Sequence, residues 1–206
     1  MTRVVTYIDG FNLYFGLRSM GWRRYYWLDL AALSGSLLKP GQSLAAVHYF
    51  TSRIRFTGNN HADTQRQNDY LDALGTLPEV TIQYGHYLQK PRKCRSCGAE
   101  WMDHEEKMTD VNIATGMLLD AFEDRFDTAL LISADSDLAP PVGQIRARFP
   151  SKRVIVVQPP GRNSVHLKQA ANAAFTLGEA KLRQSQLPES LTTSGGHMLQ
   201  RPGHWR

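Results

Sequence analysis

The chain has 206 residues, enough for one domain of ordinary size, and 42% of them are apolar, enough for a core that needs no disulfide or metal staple. The net charge of +5 is mildly basic, compatible with a polyanionic partner but insufficient to identify one. No apolar stretch approaches the roughly 18 residues of a membrane span, and the opening MTRVVTYIDG is too short an apolar run for a secretory signal, so the expectation is a cytoplasmic protein with no membrane partner.

Short β-branched runs alternate with segments of helical period. RVVTYI (3–8) reads as a buried strand and FNLYFGLRSMG as a helix that breaks near Gly21. WLDLAALSGSLL is a second helical patch, closed by a KPGQ turn; AAVHYFTS is a strand and DTQRQNDYLDALGTL a helix. VTIQYGHYL alternates with period two, as a half-exposed or edge strand does. A polar loop follows, then helix TDVNIATGMLLDAF, strand TALLIS, helix PPVGQIRARF, strand RVIVVQP, helix SVHLKQAANAA and a short edge strand at FTL.

Such alternation predicts an α/β fold with a mostly parallel central sheet, because right-handed crossovers place helices on both faces. Its ligand site is expected beyond the carboxyl ends of the strands, near the switch in strand order. The expected domain spans 1–183, interrupted by a cysteine-containing insert loop at 90–107. Residues 184–206, rich in Ser, Thr, Gly, Pro and Gln, read as a flexible tail.

Acids stand where the site should be. TALLISADSDLAPPV ends a buried strand in Asp135, with Asp137 at the head of the next helix, where Asp137 or Ser136 is also a suitable cap. A carboxylate at the end of a buried strand needs a partner. The first strand ends in Asp9, followed by Gly10 and Asn12; in isolation D-G-x-N is no more than an Asx-type turn. In KMTDVNIATGMLLDAF, Asp110 shares a face with Ile113, Ala114 and Met117, which turns it inward. Three elements thus aim carboxylates at one rim. Clustered carboxylates raise one another's pKa unless a cation holds them, and all-oxygen ligands suit Mg²⁺ or Mn²⁺.

YIDGFNLYFG, EKMTDVNIATGMLLDAF and LLISADSDLAPPV resemble, in this order, the three acidic motifs of NYN domains in the PIN-like nuclease superfamily. The resemblance covers most of residues 3–178. It implies a Rossmann-like three-layer α/β/α sandwich and metal-dependent RNA cleavage. By that likeness Asp9, Asp110, Asp135 and Asp137 are metal-binding acids, Asn12 is the polar residue after the first, Ser133 is the small hydroxyl before the last pair, and Lys107 is placed to steady a phosphate. Single-stranded or looped RNA is the implied partner, with Ser133 and Ser136 near it. The alternative is an RNA-binding or regulatory module that keeps the fold without cleaving.

QKPRKCRSCGAEWMDHEEK breaks the α/β pattern. Cys94 and Cys97, followed by Gly98, resemble half of a zinc knuckle. His104, His86 or a second chain's pair across a homodimer would complete four ligands; otherwise the thiols are free. Arg92, Lys93 and Arg95 supply phosphate-neutralising charge beside this loop, and WRRYYW (22–27) interleaves arginine with aromatics, either to stack unpaired bases or to fill the core. No nucleophile elbow, Ser–His–Asp order or glycine-rich phosphate loop is visible.

Overall fold

The computed structural model describes residues 1–54 and 60–205, with the backbone alone for 87–90 and 101–107. In chain order, β1 (Thr2–Asp9) runs directly into α1 (Gly10–Ser19), followed by a 3₁₀ turn (Arg23–Tyr25), α2 (Leu30–Ser36), β2 (Gln42–Thr51), α3 (His61–Leu74) and β3 (Val80–Tyr84). A hairpin follows, β4 (His86–Lys93) and β5 (Glu100–Lys107), then α4 (Thr109–Phe122) and β6 (Thr128–Ile132). A 3₁₀ turn (Ser136–Leu138) precedes α5 (Ala139–Arg148), β7 (Arg153–Gln158), α6 (Val165–Ala170) and β8 (Ala173–Thr176). The chain closes with α7 (Glu179–Gln184), β9 (Ser190–Thr192), β10 (Met198–Gln200) and a 3₁₀ turn at Gly203–Trp205.

Six strands form one sheet in the order β3-β2-β1-β6-β7-β8, and every neighbouring pair is parallel. Apart from the hairpin, this is the doubly wound order in which the chain starts at the centre, builds outward to one edge, and returns to build toward the other. β1 explains the two-sided burial. Val4 and Ile8 enter a core with Leu13, Leu17, Leu30 and Leu33, whereas Val5 and Tyr7 enter a second core with Ile113, Met117, Val142 and Ile145. Successive side chains point to opposite faces, so a strand covered on both sides must be apolar at nearly every position. Helices α1, α2 and α3 therefore cover one face, and α4, α5 and α6 the other, giving three layers. Among the described residues no helix is long and apolar enough to cross a membrane.

Arg3 pins the amino end of the sheet. Its guanidinium meets Asp127 Oδ1 at 2.8 Å, and its amide donates to Asp127 Oδ2 at 2.7 Å. This arrangement holds the Asp127 carboxyl down at about 2, mainly through the Arg3 hydrogen bonds.

Two expectations need correction, and one alternative left open is decided. The insert at 90–107 is largely an antiparallel hairpin; only the short stretch around Cys94 and Cys97 is a turn. Residues 184–205 are folded against the domain. Trp205, 8% exposed, sits 5.7 Å from the Tyr26 ring, 6.2 Å from Trp27 and 6.1 Å from Tyr70. Leu187 and Leu199 are buried beside it, and backbone bonds tie Asp29 to Ser185 (2.9 Å) and Leu187 to Trp27 (3.0 Å). A few large apolar anchors outweigh the polar composition between them. Finally, in WRRYYW the rings of Tyr25, Tyr26 and Trp27 are buried, so most of this stretch builds core, while Arg24 pairs with Glu179 at 2.9 Å.

Candidate active site

Asp9 ends β1, and Ser133 to Asp135 follow the end of β6, its neighbour in the sheet. These two strands flank the point where strand order reverses, and the gap beyond them is where doubly wound sheets bind ligands. Asp9 turns at once into α1 and caps it, its Oδ1 accepting the Asn12 amide at 2.9 Å. The exit is tight. A Cβ at Gly10 would lie 2.7 Å from the Phe50 carbonyl oxygen and 2.8 Å from the Tyr49 ring, so only glycine lets the strand pass into the helix there.

A chain of hydrogen bonds links the two strand ends. The Ser133 hydroxyl, fully buried, donates to Asp9 Oδ2 at 2.9 Å and accepts the Asp135 amide at 3.0 Å. An ionised carboxylate has no proton to give, so Ser133 is necessarily the donor to Asp9. Asn12 reaches across in the other direction, its Oδ1 accepting the Ala134 amide at 3.2 Å. Asp135 Oδ1 accepts the Asp137 amide at 2.9 Å, which leaves the Asp137 side chain exposed at the mouth. Asp135, rather than Ser136 or Asp137, is thus the cap of the 3₁₀ turn, and Ser136 is exposed.

Asp9 is 3% exposed, and burial pushes its carboxyl above the ordinary value. Bonds from Asn12 and Ser133 pull the other way, and the negative charge of Asp135 adds to the rise. The same Asp9 charge is felt at the Tyr49 phenol, pushed up to about 12 chiefly by burial.

Asp110 reaches the rim by a different route. The end of α4 leads to Asp127, whose amide donates to the Arg3 carbonyl at the start of β1 (3.0 Å), so α4 runs antiparallel to the strands and its first turn lies at their carboxyl ends. Met108, with a φ of 80°, makes the sharp turn from β5 into this helix. Asp110 is partly buried in that first turn. Its carboxylate does not join the other two: among the described residues, no three His, Cys, Asp or Glu side chains stand close enough to hold a metal ion. The expected four-acid ligand set is therefore not assembled.

Two carboxylates nevertheless suit a hard divalent ion. Mg²⁺ is commonly held by one or two carboxylates, keeping waters and substrate phosphates for its other positions. The raised Asp9 carboxyl marks a place where negative charge is uncomfortable and a cation would be welcome. The donor set fits Mg²⁺ or Mn²⁺ bound in that open manner and does not fit a closed cage of protein ligands.

The zinc expectation fares differently. Cys94 and Cys97 lie at the hairpin turn, where hydrogen bonds from the Cys97 and Ser96 amides lower the Cys94 thiol pKa. His104 pairs in register with Gln89, five residues from Cys94, and His86 pairs with Lys107 at the opposite end of the hairpin. At roughly 3.4 Å per residue these backbones lie about 17 Å and 27 Å along the strand from Cys94, too far for an imidazole to share its metal. The side chains of His104 and Lys107 lie outside the described residues. Lys93 pairs with Glu100 at 3.0 Å across the strands, and Arg92 and Arg95 are exposed on the same hairpin.

Two features escaped the sequence reading. On α1, Phe11, Tyr14, Phe15 and Arg18 fall at i, i+3, i+4 and i+7, a stripe beginning two residues after Asp9. Tyr14 and Phe15 remain exposed, and the Arg162 guanidinium lies over the Phe15 ring at 5.9 Å. On the other face of the sheet, the Tyr7 hydroxyl donates to buried Asp120 at 2.6 Å and His48 Nε2 stands 3.5 Å from the same carboxylate. There burial lowers the His48 pKa, which the Asp120 charge only partly offsets.

Fold and site together define a Rossmann-like α/β domain with an acidic pair at its topological switch point. Residues 3–178 match the model of the NYN domain, and the chain belongs to this family, a PIN-like nuclease-type domain. It is 31% identical over 195 residues to 6-hydroxy-3-succinoylpyridine 3-monooxygenase HspA of Pseudomonas putida, a match covering 78% of this chain and 61% of that protein. The chain thus spans under two thirds of that relative. A crystal structure of a protein of unknown function from Vibrio parahaemolyticus superposes with a TM-score of 0.56 at 17% identity, covering 90% of this chain and 96% of that one.

Proposed function

We propose that this protein is a metal-dependent ribonuclease that hydrolyses phosphodiester bonds of single-stranded or looped RNA. The observation that supports this most is the buried Asp9 paired electrostatically with Asp135 at the switch point of an NYN domain. Asp9 and Asp135 would hold Mg²⁺ or Mn²⁺, with Asp110 in reach of the same rim through substrate or water. When bound, such an ion supplies Lewis acidity, lowering the pKa of a water and stabilising the leaving oxygen.

The remaining roles belong to the chain itself. Ser133 and Asn12 fix the Asp9 carboxylate and tie the two strand ends together, so the acids are positioned before substrate arrives. Asp137, exposed at the mouth, is placed to orient a water or accept its proton. Lys107, at the base of the hairpin next to α4, and the basic hairpin residues Arg92, Lys93 and Arg95 offer charge to the strand's phosphates. The test incubates metal-stripped protein with labelled RNA, DNA and a simple phosphodiester, then adds Mn²⁺ or Mg²⁺. RNA cleavage that depends on the ion and falls about a hundredfold or more in Asp135→Asn is expected; equal cleavage by that variant would refute the assignment.

A second reading comes from the Pseudomonas putida relative, which is named as a monooxygenase of a pyridine ring. The aromatic walls beside α1 could receive such a ring. Dioxygen uptake on adding 6-hydroxy-3-succinoylpyridine and a reductant, with no RNA cleavage, would favour it.

A further inference from the structure

Next to Asp9 in the chain, the start of α1 lines an open pocket of about 460 Å³. Gly10 and Phe11, the residues that follow Asp9, line its inner end, and Tyr14, Tyr26, Tyr70 and Trp205 form its walls. The volume lies in the range of small-molecule sites, about 300–1,000 Å³. Most of these rings pack on one another, and Tyr14 is the one left open to solvent. Tyr14 stands 5.0 Å from Tyr26 at 51°, and Trp205 meets Tyr26 nearly edge-on at 78°.

Positive charge gathers at the same place. Arg18 and Arg23 line the cavity and are exposed, and Arg23 Nη1 lies 3.1 Å from His204 Nε2, on the turn that carries Trp205. Arg66 also lines it, paired with Asp63. A purely structural cluster would bury its rings completely. Here Tyr14 is 41% exposed, an aromatic left facing solvent beside arginines. Flat walls with an arginine rim accept a planar ring that carries an anion, which describes one nucleotide unit of an unpaired strand.

We propose that this cavity is a base-binding pocket, taking an unpaired nucleobase of the RNA while Arg18 and Arg23 meet the adjoining phosphate. The ligand's identity rests on the ribonuclease reading above, whereas the pocket's preference for a ring with an anion rests on its walls. The C-terminal segment is part of the pocket, because Trp205 and His204 supply one side of it. Gly10 and Phe11, which line the pocket, directly follow Asp9 in the chain, so a strand seated there would be held beside the acids and the pocket would fix which phosphodiester reaches them.

The test uses full-length Asp135→Asn protein, so that cleavage cannot interfere, and fluorescence anisotropy of a labelled single-stranded hexanucleotide. A matched hexamer with one abasic position, moved along the strand, reads the contribution of each base. One abasic position is expected to weaken binding about tenfold. Tyr14→Ala, a change at an exposed ring, should remove that discrimination while leaving affinity for the abasic strand unaltered; Arg18→Gln should weaken both strands and reduce the salt dependence. Discrimination that persists undiminished in both variants overturns the proposal, as does binding of a free pyridine carboxylate by protein that shows no base preference. Base discrimination without cleavage by the wild type would sustain the pocket and refute the ribonuclease reading, which keeps the two separable.

Discussion

Replacing Ser133 by alanine tests the wiring of the acidic pair at one atom. The hydroxyl is fully buried, donates to Asp9 Oδ2 at 2.9 Å and accepts from the Asp135 amide at 3.0 Å. A hydrogen bond to a charged group contributes about 1.5–3 kcal/mol, and a buried amide left without its acceptor costs about 1–3 kcal/mol. Alanine opens almost no cavity, so the sum, roughly 3–5 kcal/mol, is an electrostatic and hydrogen-bonding loss. For a chain of this size that lowers Tm by roughly 6–20 °C. Urea denaturation of metal-free protein measures it, and pH supplies a sign. The Asp9 carboxyl is already raised by burial, and losing a donor that pulls it down raises it further. A group with a raised acid pKa loses stability as pH climbs through its titration, so the variant's deficit should be larger at pH 7 than at pH 4. In an Asp9→Asn background the effect of Ser133→Ala should shrink to about 1–3 kcal/mol, the share of the Asp135 amide that still loses its acceptor. A deficit below about 0.5 kcal/mol, or one equal at both pH values and in both backgrounds, would refute the reasoning.

Three further outcomes follow from the geometry. Asp9→Asn removes a buried charge that desolvation and Asp135 both disfavour, so the metal-free variant should melt higher than the wild type at pH 7 by differential scanning fluorimetry, even as Mn²⁺ binding by calorimetry is lost. Asp127, held down to about 2 by Arg3, contributes stability that is complete above its ordinary value of 3.8 and is lost as pH falls toward 2; Asp127→Asn should flatten that part of an acid-unfolding curve. Trp205→Ala should cost about 3 kcal/mol or more and make residues 185–205 the first site of limited proteolysis, visible by mass spectrometry.

The central sheet was legible because its strands are buried on both faces: Val4, Val5, Tyr7 and Ile8, or Ala129 to Ile132, read as continuous apolar runs. The acids that end such runs were legible for the same reason, since Asp9 and Asp135 are charged residues standing at the ends of apolar strands. The hairpin was not. β4 and β5 carry HYLQKPRK and EWMDHEEK, polar runs that leave no period for an apolar count to find; Lys93 pairs across the strands with Glu100. The C-terminal segment failed for a related reason, because Leu187, Leu199 and Trp205 are isolated in sequence and converge only in space. For Asp110, helical spacing gave the helix and the partly buried first turn but not the distance to the other acids, which depends on how far along the sheet α4 is set. The linking roles of Ser133 and Asn12 rest on hydrogen bonds between residues more than a hundred positions apart, and no local pattern encodes them.

That separation has a consequence for the order of events during synthesis. Asp9 emerges from the ribosome first, but the serine that holds it comes 124 residues later, after the hairpin and α4. A nascent chain that has reached only α3 owns one of the two acids and none of its strand-six support. Long-range parallel pairing is slow to form, so any hydrolytic competence would appear abruptly, once β6 has been made and paired with β1, instead of accruing piece by piece.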